Sequence, residues 1–228
     1  MADQWSQTAL LVIDMQNDFI LEDGLMKVNG GKAIVPNVIK AVDIARQRGI
    51  LVVWKRGIWE GTIITWPGGQ NRIVIDFDWK TEVHNASVVR EHDQQGRDVE
   101  LFRRHLYSPG KAGPTSKGSV GAELVDGLVI KEGDYKLVKT RFSAFFATHL
   151  HSFLRTEGIK SLVITGVQTP NCIRQTVFDA VALDYQPVTV IVDATAAATP
   201  DIHAVNIFDM KNIGVATPAL QEWCGSGA

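Results

Sequence analysis

This 228-residue sequence predicts an α/β fold: one doubly wound, mostly parallel six-stranded sheet with helices on both faces. Two observations predict it. Short apolar runs alternate along the chain with longer segments of helical period, and charged or reactive residues stand at the ends of three of those runs, two directly and one after a turn. Apolar runs of this length, bounded by turn residues, read as strands buried on both faces, as a parallel sheet between helical layers requires.

The elements follow in order. Residues 8–13 form the first strand, and a loop rich in Asn, Asp and Gly (17–31) follows Asp14. Residues 35–48 have the pattern of a helix, with Pro36 in the first turn and Gly49 just past the end. Residues 50–54 are the second strand. Later come a short strand at 137–138, a helix at 143–157, a strand at 161–165, a helix at 171–183 and a strand at 188–192. Thr199-Pro200-Asp201 opens a last helix to about Met210, and residues 213–216 are expected to close the sheet. No repeat or domain boundary is visible, so residues 1–228 read as a single domain.

Chemistry concentrates at strand ends, where ligands bind in open α/β sheets. Cys172 follows an apolar run and a Gly/Thr/Pro/Asn turn and precedes a helix. Unpaired N–H groups and the macrodipole at a helix start favour a thiolate, which is a nucleophile at neutral pH. The ordinary alternative is a small buried thiol. Asp14 ends the first strand, where it either serves chemistry or caps the turn. Lys139 ends another strand, where it is either functional or a solvated surface lysine. Together they would be a working set: Lys139 stabilises the thiolate, and Asp14 takes the thiol proton and passes it to a leaving amine.

Four segments carry a resemblance: LLVIDMQNDF (10–19), VKTRFSAFFAT (138–148), LVITGVQTPNCIRQTVFDAVALDY (162–185) and VTVIVDATAA (188–197). They resemble the isochorismatase-like cysteine hydrolases, which include nicotinamidases and amidohydrolases of ureido compounds. The likeness covers nearly the whole chain and is greatest for small plant and bacterial isochorismatase- or nicotinamidase-like members. It implies a Rossmann-like sheet, Asp14 as proton carrier, Lys139 as thiolate stabiliser and Cys172 as nucleophile. It also implies a non-proline cis peptide at Val167–Gln168, with the backbone N–H groups of Gln168 and Cys172 forming an oxyanion hole. Dimers or tetramers are common in the family, so a homo-oligomer is expected.

Candidate substrate contacts are Phe19, Arg141, Phe142, Gln168 and Arg174. A guanidinium grips carboxylates or ureido oxygens bidentately, although surface ion pairing explains Arg141 and Arg174 equally well, and core packing explains the two phenylalanines. His149, His151 and His203 read as structural, and Asp193 as ordering the Ala-rich loop that follows it.

The resemblance also implies a metal in nicotinamidases, held by an Asp-x-His pair and further histidines. The corresponding run here is Arg90-Glu91-His92, with arginine in the place of the aspartate. His84 lies in an atypical segment and His105 at an unsuitable spacing. One histidine beside a cation makes a poor divalent site, so no metal and no cofactor are expected.

The atypical segment is 55–87. Leu51-Val52-Val53-Trp54 and Val88-Val89-Arg90 read as two halves of one strand, separated by 33 residues that hold Trp59, Trp66 and Trp79. The segment contains a turn at Pro67-Gly68-Gly69 and a possible strand at 73–77. It is either a hairpin excursion at the mouth of the site or a segment retained by alternative splicing or gene-model error. Its position in mid-strand favours the latter.

A hydrophobic fraction of 45% and a net charge of −2 suggest neither disorder nor a nucleic-acid-binding surface. No apolar run is long enough to span a membrane. Residues 1–7 are polar, without a secretory or transit pattern, and only two cysteines occur, Cys224 being expected as an exposed thiol in a Gly-Ser-Gly tail. A cytoplasmic location fits this usage.

The leading functional expectation is metal-independent hydrolysis of a C–N bond in a small amide or ureido compound through an acyl-thioenzyme. One alternative is a catalytically inactive nicotinamidase-like protein acting as a binding or regulatory scaffold. Another is isochorismatase-type vinyl ether hydrolysis, which needs no cysteine nucleophile and is disfavoured by Cys172.

Overall fold

Alternation along the first strand, β1 (Thr8–Ile13), sets the architecture. Successive side chains point to opposite faces, so Ala9, Leu11 and Ile13 enter one apolar core, while Leu10 and Val12 enter another. Both faces need a helical cover, and the chain supplies it. The computed structural model describes residues 5–52, 63–65, 71–73, 85–108, 110–130 and 134–225.

After β1 come a short helix α1 (Asn17–Ile20), the long helix α2 (Gly31–Gln47) and strand β2 (Leu51–Val52). β3 (Ile63–Thr65) and β4 (Asn71–Ile73) form an antiparallel pair, and β5 (Asn85–Arg90) returns to the main sheet. One-turn segments at Leu101–Leu106 and Val120–Ala122 precede β6 (Asp134–Lys139) and α3 (Leu150–Thr156). β7 (Ser161–Val167), α4 (Arg174–Ala182), β8 (Val188–Ala196), α5 (Pro200–Asn212) and α6 (Leu220–Gly225) complete the order. The sheet has six strands in the order β6-β5-β1-β7-β8, with β2 also on β1, and every pairing is parallel. The chain builds outward from β1 to β6 on one side, then returns to β7 and β8 on the other. The crevice where those directions diverge, at the carboxyl ends of β1 and β7, is the ligand position of such folds.

One core, under α2 and α6, contains Val38, Ala41, Val42, Leu220 and Trp223. The other, under α3, α4 and α5, contains Leu154, Val177, Ile207 and Met210. Each fully buried Val, Leu or Ile contributes about 1.5–3 kcal/mol, and these two layers hold the sheet between them. Among the described residues, no helix is long and apolar enough to cross a membrane.

Several elements differ from expectation. α2 begins at Gly31, so Pro36 lies inside it rather than in its first turn. Lys32 and Pro36 both face solvent, so the carbonyl that the missing N–H leaves free lies on the exposed side of the helix. The expected helix at 143–157 shrinks to Leu150–Thr156. Ser143 and Thr148 side chains bond local backbone groups, the Ala144 N–H goes to Thr176 Oγ1, and Ala147 has φ 53°. These bonds compete with the helical ladder and hold a turn instead. Residues 213–216 contribute only the bridge between Ala216 and Thr189, because Pro218 has no N–H to extend the ladder.

The two half-strands lie in succession along one edge of β1: Leu10 pairs with Val52, and Val12 with Ser87. Two steps on β1 correspond to 35 in sequence, an excess of 33 residues. The register therefore runs as one strand across the interruption. Residues 66–70 and 74–77, with the turn and most of the strand expected there, and Trp59, Trp66, Trp79 and His84 lie outside the described residues.

Excising residues 55–87 is expected to yield a folded protein with an unbroken strand and a higher melting temperature. The saving in loop closure is at most about 3 kcal/mol, and a lower-melting deletion variant would count against it. Gly166 pairs with Ile13 at φ 111°, and an added Cβ would lie 2.0 Å from Ile13 O. Gly166→Ala should destabilise the fold by about 3 kcal/mol or more in denaturant titrations.

Candidate functional site

Three strand ends converge in the crevice. Asp14 follows β1 with φ 52°, a conformation that aspartate tolerates better than most residues, and its N–H donates to Val88 O at 2.9 Å. Lys139 is the last residue of β6 and pairs in register with Arg90, the last residue of β5. Beyond β7, the Val167–Gln168 peptide is cis, and Cys172 sits in the wide turn Thr169–Ile173 that leads into α4. Thr176 Oγ1 donates to Cys172 O at 2.7 Å, locking that turn to the helix.

Lys139 Nζ donates to Asp14 Oδ2 at 2.8 Å and to Arg141 O at 3.1 Å. Both charged side chains are fully buried. Arg90 is equally buried and joins them: Nε lies 4.0 Å from Asp14 Oδ2, and Nη2 donates to Cys172 Sγ at 3.7 Å. Its Nη1 donates to both carboxylate oxygens of Glu100, at 2.8 and 3.1 Å, and lies 3.5 Å from His92 Nε2. Gln16 fixes the backbone of Arg90 from both sides, accepting its N–H at 2.7 Å and donating to its carbonyl at 2.8 Å. Asp14 Oδ1 and Arg90 Nε are buried without a hydrogen-bond partner among the described residues, an uncommon state for buried polar groups.

Lys139, Asp14, Arg90 and Glu100 form a chain of alternating charge that sums to zero while Cys172 is a neutral thiol. Burial pushes the Cys172 pKa up, and the Asp14 carboxylate adds to the rise, while Lys139 and Arg90 oppose it. Desolvation of the sulfur in the core thus works against the helix-start effect that favours a thiolate. Burial would raise Glu100 as well, but the charge and hydrogen bonds of Arg90 bring its pKa below the usual value. Burial and the Arg90 charge bring His92 down to about 4, so its ring is neutral near pH 7.

The other expected contacts separate. Gln168 opens the turn of Cys172, and Phe142 lies beneath two guanidinium groups, 5.4 Å from Arg90 and 5.1 Å from Arg103. Arg141 Nη1 holds the backbone carbonyls of Asp98 and Thr140. Phe19 belongs to the core under α2. Arg174 bonds Asp209 at 2.6 and 3.0 Å and stacks on Phe178, so its guanidinium is engaged on α5. His151 meets the Tyr185 hydroxyl, and His203 meets Thr169 Oγ1. Asp193 accepts the Leu220 N–H, anchoring α6 rather than its own loop. Cys224 is half-buried on α6 rather than exposed in a tail. Sequence reasoning missed Arg90 as a site residue, although the strand-end rule that singled out Lys139 applied to it. Glu100 and Gln16 had no such signal.

The isochorismatase domain profile matches residues 8–221. The chain belongs to the isochorismatase family. A relative in Arabidopsis thaliana named "probable inactive nicotinamidase" is 64% identical over 224 residues, covering 98% of this chain and 97% of that protein. The crystal structure of an isochorismatase family protein from Desulfovibrio vulgaris is 36% identical, covers 96% of this chain and 97% of its own, and superposes with TM-score 0.79. A pyrazinamidase of Pyrococcus horikoshii, solved with zinc, shares the fold at 22% identity and TM-score 0.69, covering 93% of this chain and 99% of its own.

The residues of this isochorismatase-family chain do not fit such an ion. The Arg90 guanidinium lies against His92 Nε2 and holds Glu100, putting a fixed positive charge among the nearest donors. Among the described residues, no cluster of three His, Cys, Asp or Glu side chains is arranged to hold a metal.

Alkylation of Cys172 by a small reagent, followed by peptide mass spectrometry across pH, should give an apparent pKa above the ordinary thiol value of about 8.5. Asp14→Asn should lower it by removing the adjacent negative charge, and Arg90→Met should raise it further. A wild-type value below the ordinary range would overturn this account of the site.

Proposed function

We propose that this protein is a nicotinamidase-like member of the family that does not turn over nicotinamide and serves as a small-molecule-binding or regulatory scaffold. The observation that carries this reading is Arg90, buried in the crevice and bonded to Glu100 and to Cys172 Sγ. The residue fills the space beside the sulfur with a fixed cation and completes a charge-balanced network around a neutral thiol. The raised pKa of Cys172 supports the same reading, because little thiolate is present at neutral pH to attack a carbonyl. The name of the Arabidopsis relative supports it independently. The orphaned Asp14 Oδ1 and Arg90 Nε favour a site that still takes a ligand.

A second reading is favoured by the 2.8 Å contact between Lys139 and Asp14 beside Cys172. In it, Asp14 accepts the thiol proton, the sulfur attacks the carbonyl of a small amide or ureido compound, and the amine leaves with that proton. Water then cleaves the thioester to release the acid.

Ammonia release separates the two. With nicotinamide and a panel of ureido compounds, the wild-type rate should be within about twofold of the Cys172→Ala rate. A wild-type rate 100-fold or more above that variant would remove the scaffold reading and establish the hydrolase.

A further inference from the structure

We infer that Arg90 and Arg103 form a binding site for a small carboxylate, occupied in this structure by the chain's own Glu100, which an external carboxylate displaces. This deepens the scaffold reading and rests on it. Glu100 carries to the site the group that a ligand would carry. Its carboxylate meets Arg90 Nη1 through both oxygens, and Arg103 Nη1 lies 4.0 Å away. The Phe142 ring lies against both guanidinium groups, so the two cations share one platform.

Exposure gives the direction of approach. The Arg90 side chain has no exposed surface, whereas Glu100 and Arg103 retain 11% and 15%. Glu100 therefore stands between solvent and Arg90, in the path that a ligand must take.

Charge then selects the ligand. Without Glu100 the buried guanidinium keeps only the 4.0 Å contact with Asp14, which Lys139 also shares, so a neutral amide in place of Glu100 leaves an excess of positive charge. A second carboxylate replaces it like for like. The Glu100 side chain can swing out while its backbone stays anchored: Val99 is buried, Asp98 accepts the Asp93 N–H at 3.0 Å and meets His92 Nδ1 at 3.3 Å, and Arg141 holds Asp98 O. The turn Leu101–Leu106 that follows contributes no buried residue and is held by Phe102 against Phe142, 6.3 Å between ring centres.

The test uses benzoate as probe and benzamide as its neutral counterpart, with affinities from calorimetry on the full chain. Glu100→Ala and Glu100→Gln should each bind benzoate at least tenfold more tightly than wild type. Benzamide affinity should not change, and Arg90→Met in the Glu100→Ala background should abolish the gain. Equal benzoate affinity in wild type and both Glu100 variants overturns the inference. Should the variants fail to fold, wild type decides: benzoate, but not benzamide, must increase amide exchange over residues 101–106, and an unchanged exchange overturns it. Turnover of nicotinamide by wild type would remove the scaffold reading without altering these affinities. Equal affinities would remove the carboxylate site and leave the turnover result as it stands.

Discussion

The buried guanidinium of Arg90 is the constraint on which the site depends. A charge with no exposed surface must be paired, because the interior solvates it poorly. Its partners come from three separate parts of the chain: Asp14 after β1, Cys172 before α4 and Glu100 in the loop after β5. The strand that carries Arg90 must therefore end level with β1 and β6. The pairing of Arg90 with Lys139 and of Val88 with Ile13 puts it there. Gln16 then fixes its backbone, so the position of the cation is set by the sheet rather than by a mobile loop.

Much of this fold was legible in local pattern. The run from Thr8 to Ile13 is buried throughout, as an all-apolar strand between two helical layers must be. The strand-end rule reached Asp14 and Lys139 because each follows an apolar run directly, and Cys172 because only a turn separates it from one. What stayed out of reach depends on neighbours distant in sequence. Burial and Asp14, 158 positions away, push the Cys172 pKa up, and neither influence is visible in the local pattern before α4. Glu100 sits in a non-periodic segment, where nothing distinguishes it from a solvated surface acid. The residues after Ser143 have helical composition, yet the bonds of Ser143, Thr148 and Thr176 to the backbone divert them into a turn beside the site.

The interrupted strand shows how tolerant a parallel sheet is of where its chain comes from. β1 requires a continuous neighbour along its edge, and Leu51–Val52 followed by Asn85–Arg90 provides it without a register slip. A slip of one residue would turn every side chain of β5 to the opposite face and move Arg90 out of the crevice. Preserved register therefore matters more to the site than continuity of the chain, and it explains how Arg90 reaches Asp14 and Cys172 despite the 33 additional residues.

An arginine at the end of β5 differs from a carboxylate in more than the sign of its charge. A guanidinium carries a single delocalised charge and five directed N–H donors, so it orients planar carboxylates well. It offers no open coordination position at which a carbonyl or water is polarised. Arg90 thus keeps a positive charge beside the sulfur, 3.7 Å from Sγ. In the alternation of Lys139, Asp14, Arg90 and Glu100 each cation is matched by a carboxylate. A carboxylate ligand in the place of Glu100 would leave that balance intact.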